Sequence, residues 1–407
     1  MAKNDNMKIL EINKFYNSRR GADKHFLDVI ALLMANGNQV AEFSMLQADN
    51  ENSDWKKYFL STVGYTSNFS TWQKIKGMAR AFYSFEAKRK INAILDEFKP
   101  DLVHIHNIYH QMSPCILFEI KKRGIPVVMT VHDFKLINPN HSLRLNGKPY
   151  RRCAEGKFYQ CFLDKCVKNS YAKSFLASLE MYWHAWLGTY EKNIDLYVAP
   201  SEFVKKTLTA WGMDGDKIIV LPHFTPKENV EISRKYAFSV AQKFAIYPGK
   251  ISKEKGVDTL IKIFKNIKGM KLFLAGEVED GYKIENNPNI VHLGFLPKDE
   301  LREYVRNSTV VVSGSKLPET FGLIALEALE NGKPFVGFDS GAFGEIIENG
   351  VSGFIVSTEK EFQRVIEGIA GKSIAFDESK IIENSKKYNA QAYWENLNAI
   401  FSKLISH

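Results

Sequence analysis

The sequence predicts an α/β protein built from two Rossmann-like, doubly wound domains. Short apolar runs of strand length alternate with helical segments along the chain, a pattern typical of parallel sheets covered by helices. The chain has 407 residues, more than a single hydrophobic core normally supports. A polar stretch over residues 223–236 divides the strand-like runs into two series and is interpreted as a linker.

The first series lies in a predicted domain over residues 1–222. A helix over about 22–36 is expected to end at Asn36-Gly37, because this pair is a common helix stop. The strands of this domain are expected at 8–12, 40–43, 102–106, 127–131 and 197–199.

The second series lies in a predicted domain over residues 244–388, with strands at 244–247, 271–275, 290–293, 310–313, 334–338 and 353–356. Each domain would hold about six strands. Ligands bind at the carboxyl ends of parallel strands, so we expect the two sheets to face each other across a substrate cleft. A last helix over about 389–405 has apolar residues at helical spacing and is expected to cross back onto the first domain.

Cysteine content and hydropathy predict the compartment. Four cysteines in this length give no disulfide framework and favour a reducing environment. The first residues lack the apolar core of a signal peptide, and no run approaches the ~18 apolar residues of a spanning helix. We therefore expect a cytoplasmic protein.

The net charge of +9 is unevenly placed along the chain. Residues 1–190 hold 27 basic and 17 acidic side chains, whereas residues 191–407 hold 28 and 29. No zinc-finger, helix-turn-helix or RNP pattern supports nucleic-acid binding. A first domain that meets anionic lipid at the inner membrane face fits better, with charge kept only for solubility as the alternative.

Residues 318–341 carry the clearest chemical motif. An apolar helix from Ile324 to Leu329 is expected to follow a Phe-Gly-Leu turn. The first-turn amides of such a helix bind phosphate well because they lack intrahelical acceptors and carry partial positive charge. Glu319 and Glu327 bracket this helix start, roughly 10–12 Å apart at the helical rise per residue. The alternative is a surface helix with two solvated acids. The amides expected to contact a ligand are those of Thr320, Phe321, Gly322 and Leu323.

With a second Gly-rich turn at 341–344, this motif resembles the donor clamp of retaining glycosyltransferases with the GT-B fold. The whole chain is similar to glycosyltransferase family four, the bacterial group 1 sugar transferases. The resemblance implies transfer of a hexosyl unit from a nucleotide-diphosphate sugar to a saccharide or polyprenyl-linked acceptor. It also implies retention of configuration, no metal or other cofactor, and a place in cell-surface polysaccharide biosynthesis. By the same resemblance, Glu319 orients the sugar and Glu327 binds the ribose.

Three further motifs resemble the family in the expected order. In residues 14–40, Gly21 matches the second glycine of the family's first loop, whereas Arg20 replaces the first glycine. In residues 127–135, His132 matches a histidine that contacts the donor sugar or the phosphate near the anomeric carbon. In residues 247–261, Lys250 stands where the family usually has arginine, and Lys255 matches the family's lysine. Both cations are implied to hold the diphosphate.

Three more sequence features carry alternatives. The turn at 291–301 is where the family contacts the nucleobase, which makes Phe295 and Leu296 candidates. Cys153, Cys161 and Cys166 are expected to be plain thiols, with a zinc site completed by His141 as the alternative. The aromatic segment 174–186 is either a core helix, the more common case, or a membrane-interface helix.

The implied mechanism is front-face substitution, in which Lys250, Lys255 and the amides of 321–323 stabilise the departing diphosphate. A nucleotide-sugar 2-epimerase of the same fold and a catalytically silent sugar-nucleotide-binding protein stay open as alternatives. An NAD dehydrogenase is disfavoured because no G-x-G-x-x-G follows any strand.

Overall fold

The computed structural model describes residues 6–63, 70–226 and 242–406. The chain divides into two compact units. The first unit is Met1–Pro226 together with Ala390–His407, and the second is Lys227–Asn389.

The strands of the first unit are β1 (Lys8–Ile12), β2 (Gln39–Phe43), β3 (Leu102–Ile105), β4 (Val127–Thr130), β5 (Arg144–Leu145), β6 (Lys148–Pro149), β7 (Leu196–Ala199) and β8 (Ile218–Val220). Its helices are α1 (Gly21–Ala35), α2 (Thr71–Phe82), α3 (Phe85–Phe98), α4 (Ile116–Lys121), α5 (Tyr159–Leu163), α6 (Tyr171–Leu187) and α7 (Glu202–Ala210). The last helix of the chain also belongs to this unit, which includes Ala390–His407.

The second unit contains strands β9 (Phe244–Pro248), β10 (Lys271–Ala275), β11 (Ile290–Gly294), β12 (Val310–Ser313), β13 (Phe335–Phe338) and β14 (Gly353–Val356). Its helices are α8 (Val257–Phe264), α9 (Lys298–Asn307), α10 (Leu323–Glu330), α11 (Phe343–Ile346), α12 (Glu359–Ala370) and α13 (Glu378–Ser385). Helix α14 (Ala390–Ile405) follows.

Within the described residues, the main sheet of the first unit has six parallel strands in the order β2-β1-β3-β4-β7-β8. Every residue of β3 and β4 is buried, as expected for a parallel sheet covered on both faces. Successive side chains of β1 enter different cores: Ile9 packs in one cluster, whereas Leu10 packs in another. β5 and β6 form a separate antiparallel hairpin.

In the part of the second unit that the structure describes, the sheet is also parallel and six-stranded, in the order β11-β10-β9-β12-β13-β14. The chain runs outward from β9 to β11 and then returns to place β12 on the other side of β9. The loops that leave β9 and β12 therefore diverge, and ligands bind at such a switch point in open α/β sheets. The first unit has its own switch point between β1 and β3.

Helix α14 packs within the first unit. Its residues Tyr393, Trp394, Leu397 and Phe401 share a buried cluster with Phe26 of α1. This packing follows from the helical spacing of the apolar residues, which places them on one face.

The predicted α/β class with two Rossmann-like parallel sheets is confirmed. Two details differ from the sequence-based expectations. Strand β8 was not anticipated, and the expected linker does not begin at residue 223, because His223 and Phe224 are buried in the first unit. Residues 227–236 of that linker lie outside the described residues.

Candidate active site

The loops after β9 and β12 bring a lysine and a glutamate together at the switch point of the second unit. Lys255 Nζ lies 2.8 Å from Glu319 Oε1, although the residues are 64 positions apart in the sequence. Both side chains keep contact with solvent, with 38% of Lys255 and 21% of Glu319 exposed. The close approach requires Gly256, since a Cβ there would lie 1.8 Å from the carbonyl oxygen of Gly314, just after β12.

The predicted second Gly-rich turn supports Glu319 from behind. The Glu319 N–H donates to the Ser340 carbonyl at 3.3 Å, and the Ala342 N–H donates to the Glu319 carbonyl at 2.9 Å. Gly341 has a left-handed φ of +81°, and a Cβ on it would lie 2.3 Å from the Glu319 carbonyl oxygen. Glycine at 341 therefore fixes the backbone that carries the acid.

Helix α10 begins directly beyond this point. Gly322 is its N-cap in a left-handed conformation, and no side chain caps the helix start. The N–H groups of the first turn, including that of Leu323, have no intrahelical acceptor, so this end carries partial positive charge. The side chain of Phe321 is buried, and its ring packs edge-on against Tyr388 at 5.6 Å. Phe321 can therefore offer a ligand only its backbone, and Thr320 beside it is partly exposed.

The other predicted donor contacts of this unit are more dispersed. Glu327 is partly exposed on the second turn of α10. Leu296 packs against the core of the unit, whereas Phe295 beside it is exposed. Lys250 is exposed and forms an ion pair with Glu279. An exposed ion pair is worth only about 0–1 kcal/mol, so an incoming anion can draw Lys250 away from its partner at little cost.

A buried polar cluster fills the switch point of the first unit, where β1 and β3 lie side by side. Glu11 is in register with His104, and His104 Nδ1 lies 2.8 Å from Glu11 Oε1. His104 Nε2 lies 2.8 Å from the hydroxyl of Thr130 on β4. Both ring nitrogens of His104 are thus bound to partners inside the sheet, which fixes the ring.

The cluster continues to the predicted site residue His132. His106 Nδ1 lies 2.7 Å from His132 Nε2, and His106 Nε2 lies 3.3 Å from Glu11 Oε2. The ring centre of His25, on α1, lies 3.7 Å from that of His223, with the two rings tilted by 31°, and 5.8 Å from that of His132. His106 therefore contacts His132 directly, whereas Nε2 of His106 and Oε2 of Glu11 are close to each other but form no hydrogen bond among the described residues.

Burial keeps the imidazoles of His25, His106 and His132 neutral. It lowers the pKa of His132 to about 4, with Asp133 working in the opposite direction. Burial, reinforced by neighbouring histidines, also lowers the pKa of His106 and of His25 well below the ordinary value. A neutral imidazole at position 132 can donate or accept a hydrogen bond at pH 7.

Sequence reasoning identified His132 but missed the rest of the cluster. The usable signal was the H-x-H spacing of His104 and His106 at the end of a predicted strand, which places both side chains on one face. The ligand atoms of Glu11, His104 and His106 lie within 4.8 Å of one another, which makes them a candidate metal-holding group among the described residues.

Gly21 is the first residue of α1 and is exposed. Arg20, which replaces the family's first glycine, places its guanidinium 4.8 Å from the ring centre of Phe15. Asp23 is buried in the first turn of the helix and accepts a hydrogen bond from Asn13 at 2.9 Å. An acid in that position already meets the positive end of the helix. His25 lies about one turn beyond Gly21 on α1, and its ring centre is 5.8 Å from that of His132. α1 therefore brings Gly21 and His132 into one region.

The cysteine segment differs from the expectation of plain thiols. Cys161 and Cys166 form a disulfide, whereas Cys153 is a buried free thiol. The expectation was therefore wrong for two of the three cysteines, because the turn between α5 and α6 brings their side chains together. Because neither disulfide sulfur is a thiolate, Cys161 and Cys166 cannot serve as ligands of the alternative zinc site.

The aromatic segment 174–186 also differs from the more common expectation of a core helix. It forms most of α6, and its large aromatic residues point outward, with Trp186 76% exposed. Among the described residues, no helix is both long enough and apolar enough to cross a bilayer.

Two family models match the chain. "Glycosyltransferase Family 4" matches residues 19–228, and "Glycosyl transferases group 1" matches residues 228–388. The chain therefore belongs to the glycosyltransferases, with a family-four-type first half followed by a group 1 domain.

Individual relatives are more distant. An "uncharacterized 42.6 kDa protein in cps region" of Klebsiella pneumoniae is 26% identical over 62% of this chain, and the match spans only 60% of that protein's length. A lipopolysaccharide 1,2-N-acetylglucosaminetransferase of Salmonella typhimurium is 22% identical over 54% of this chain and 65% of its own length.

Among solved structures, the fold is similar to that of HepE from Anabaena in complex with UDP-glucose. The match has a TM-score of 0.65 at 16% identity and covers 98% of this chain and all of that one. Together with the two parallel sheets, this similarity confirms the expected GT-B fold class.

Proposed function

We propose that the chain is a retaining hexosyltransferase of family four. It would move a hexosyl unit from a nucleotide-diphosphate sugar to a saccharide or lipid-linked acceptor in cell-surface polysaccharide biosynthesis. The observation that carries this proposal is the pairing of Lys255 with Glu319 beside the uncapped start of α10, at a sheet switch point.

The first argument is the local charge. A diphosphate needs cations and N–H donors, and this site offers Lys255, Lys250 and the amides of the first turn of α10. The ion pairs of the two lysines are solvent-exposed, so a diphosphate can replace their carboxylate partners. When Lys255 turns to the diphosphate, Glu319 becomes available to accept hydrogen bonds from sugar hydroxyls.

The remaining roles follow the family resemblance. Glu327 accepts hydrogen bonds from the ribose, and Leu296 with Phe295 contacts the nucleobase. In the first unit, His132 hydrogen-bonds the transferred sugar, and the loop at Gly21 binds donor or acceptor. The short contact between His132 and His106 holds the imidazole ring of His132 in position.

The proposed step is a front-face substitution. The bond between the anomeric carbon and the diphosphate oxygen breaks, and the acceptor oxygen bonds to the same face of that carbon. The acceptor's proton passes to a diphosphate oxygen. Lys250, Lys255 and the helix amides stabilise the negative charge that develops on the leaving group, so the residues supply positioning and charge and no metal cofactor is invoked.

The similar proteins support the donor and the pathway. The Anabaena structure contains UDP-glucose, the Salmonella relative is named for transfer to lipopolysaccharide, and the Klebsiella relative is encoded in a cps region. The basic first half of the chain supports a location at an anionic membrane surface. A 2-epimerase and a silent binding protein would use the same donor contacts, so product analysis must distinguish them.

The first experiment identifies the donor and the product. The purified chain is screened by thermal shift against UDP-, GDP-, ADP- and dTDP-sugars, since a ligand at 100 times its Kd stabilises by about 2.7 kcal/mol. The stabilising sugar is then incubated with and without saccharide acceptors. We expect an acceptor glycoside with the donor's anomeric configuration. A free epimerised sugar formed without acceptor would instead indicate the epimerase, and absence of any turnover would indicate the silent protein.

The second experiment tests the residues. Lys255→Ala and Glu319→Ala are each expected to lower kcat/KM by at least ~100-fold, the usual loss for one charge-stabilising group. Lys262→Ala is the matched control, because Lys262 forms a 2.8 Å ion pair with Glu359 elsewhere in the same unit. Full activity in either site variant would contradict the assigned roles.

A further inference from the structure

Helix α6 has polar groups on its inward face and large apolar side chains on its outward face, the opposite of the usual arrangement in a surface helix. Its inward face carries polar groups that are bound to protein: the Ser178 hydroxyl donates to the Phe158 carbonyl at 2.8 Å, and His184 Nε2–H donates to the Ala81 carbonyl at 2.7 Å. Its outward face, termed here the α6 stripe, consists of Tyr171, Phe175, Leu179, Trp183 and Trp186, and all five are exposed.

The inward polar network fixes this orientation. Glu180 is buried and lies 3.0 Å from Lys135 Nζ and 2.8 Å from His110 Nδ1. Rotating the helix to bury its aromatic residues would expose this network and separate a buried carboxylate from its two partners, at a high cost. The outward aromatic stripe is therefore a stable feature of the fold.

The apolar surface extends onto α2. Trp72, Ile75 and Met78, spaced three residues apart, form an exposed second stripe, and Trp72 is 73% exposed. The α2 helix ends at Phe82, whose ring lies 6.3 Å from that of Trp183. The end of α2 therefore lies beside the α6 stripe, and the two stripes together are termed the aromatic face.

Basic residues border the aromatic face. Residues 148–173 hold seven Lys or Arg and two Asp or Glu, and Lys168 and Lys173 are exposed next to the start of α6. Lys165 Nζ lies 4.4 Å from the ring centre of Tyr171. Aromatic rings bordered by lysines match the boundary of an anionic bilayer, where rings lie among headgroups and cations meet lipid phosphates.

We propose that the aromatic face docks on the surface of a bilayer that contains anionic lipid. The proposal deepens the membrane location under the proposed function, because it assigns the contact to α2 and α6, and it does not depend on the sugar chemistry. The face lies on the membrane and does not cross it. Pairing with a second copy of the chain is disfavoured, because a symmetric contact through this face would oppose two surfaces of the same positive charge.

The test measures binding of the purified full-length chain to vesicles by flotation, without any substrate. We expect binding to phosphatidylethanolamine vesicles with a quarter phosphatidylglycerol, and much weaker binding to pure phosphatidylcholine. Lipids brominated near the headgroup should quench tryptophan fluorescence in the bound state. Phe175→Glu with Trp186→Glu should lower vesicle affinity at least ~10-fold, because two apolar side chains no longer enter the interface. Lys168→Glu with Lys173→Glu should lower affinity only for the anionic vesicles.

The control is Met34→Glu, which places one glutamate at an exposed apolar residue of α1, and a thermal melt confirms that every variant is folded. Equal vesicle binding by the wild type and the Phe175→Glu, Trp186→Glu variant would overturn the proposal. The proposal would also be overturned if the wild type formed a dimer and did not bind vesicles, and the Phe175→Glu, Trp186→Glu variant were a monomer. Vesicle binding without any sugar transfer would leave this proposal intact and refute the proposed function alone.

Discussion

Lys255 and Glu319 show how single residues build the candidate site. Their side chains meet because glycines at three positions let backbone segments approach more closely than any side chain would allow. Gly256 lies against the carbonyl of Gly314, and Gly341 lies against that of Glu319. At the residue scale, the site therefore depends as much on missing Cβ atoms as on charged groups.

The position of Glu319 should be sensitive to a methyl group at residue 341. Gly341→Ala places a Cβ where the Glu319 carbonyl lies, so we expect it to displace the acid and lower transferase turnover by ~100-fold or more, the cost typical of a mispositioned group. Gly350→Ala is the matched control, because Gly350 has the same φ of +81° but no atom within 4 Å of the added Cβ.

Both substitutions carry the cost of a left-handed alanine, roughly 1–2 kcal/mol. Gly341→Ala adds a clash with the backbone of Glu319, so it should lower the unfolding midpoint of the protein further than Gly350→Ala does. Only Gly341→Ala should impair turnover. Equal kcat/KM values for the two variants would show that the turn at 341 does not position Glu319. Unfolding is followed by circular dichroism, and turnover is measured with the donor found by thermal shift.

Among the elements, α6 departs furthest from what its residue pattern suggested. A helix with an aromatic stripe normally turns that stripe into the core. Here Glu180 occupies the inner side, between Lys135 and His110. Burial alone would raise the pKa of Glu180, but the adjacent Lys135 and His110 lower it below the ordinary range, so this carboxylate is ionised at neutral pH.

Removing the charge of Glu180 should destabilise the first unit strongly. Glu180→Gln leaves the Lys135 ammonium buried without its carboxylate, and breaking a buried pair in this way costs about 3–5 kcal/mol. Chemical denaturation followed by tryptophan fluorescence measures the loss. As a control, Glu97→Gln removes one acid of the exposed pair with Lys57 and should leave the midpoint nearly unchanged. A Glu180→Gln variant as stable as the wild type would contradict the assignment of a buried, ionised network.

At the scale of the whole molecule, the two units have different titratable cores. The buried histidine cluster belongs to the first unit, and all six tryptophans of the chain lie in that unit's sequence. Tryptophan fluorescence therefore reports the unfolding of the first unit separately from that of the second.

Acid should destabilise the first unit through these histidines. The pKa of His132 is about 4 in the folded chain and near 6.5 in the unfolded chain, so the unfolded state binds more protons between these values. The free energy of unfolding should therefore fall as the pH is lowered from about 6.5 to 4. At about 1.4 kcal/mol per pH unit, His132 alone contributes roughly 3 kcal/mol. Glu11, whose pKa burial raises from its ordinary value of 4.5, acts in the opposite direction at pH values above 4.5.

The measurement is a set of urea titrations from pH 4 to 7.5 followed by tryptophan fluorescence. His223→Phe removes one buried imidazole whose pKa burial lowers and should flatten the slope, whereas His292→Asn, at an exposed position of the second unit, should not. A pH-independent free energy of unfolding in the wild type would show that the buried histidines titrate normally.

Local patterns in the sequence determined much of this protein. Strand-length apolar runs alternating with helices predicted both parallel sheets, and the residues at 318–341 predicted the helix start and the supporting turn at Gly341. These features depend on neighbours in sequence, through backbone period and glycine conformation, so they can be read without a fold.

Only the tertiary structure decided which distant residues meet. The strand orders place the loops of Lys255 and Glu319 at one switch point and bring Glu11, His104 and His106 close to His132. The tertiary structure also leaves the aromatic residues of α6 on the outside of the unit. The periodicity of a helix shows that one face is apolar, but it does not show which way that face points. That direction depends on the packing free energy of the whole unit, in which the buried polar network around Glu180 outweighs the burial of the α6 stripe.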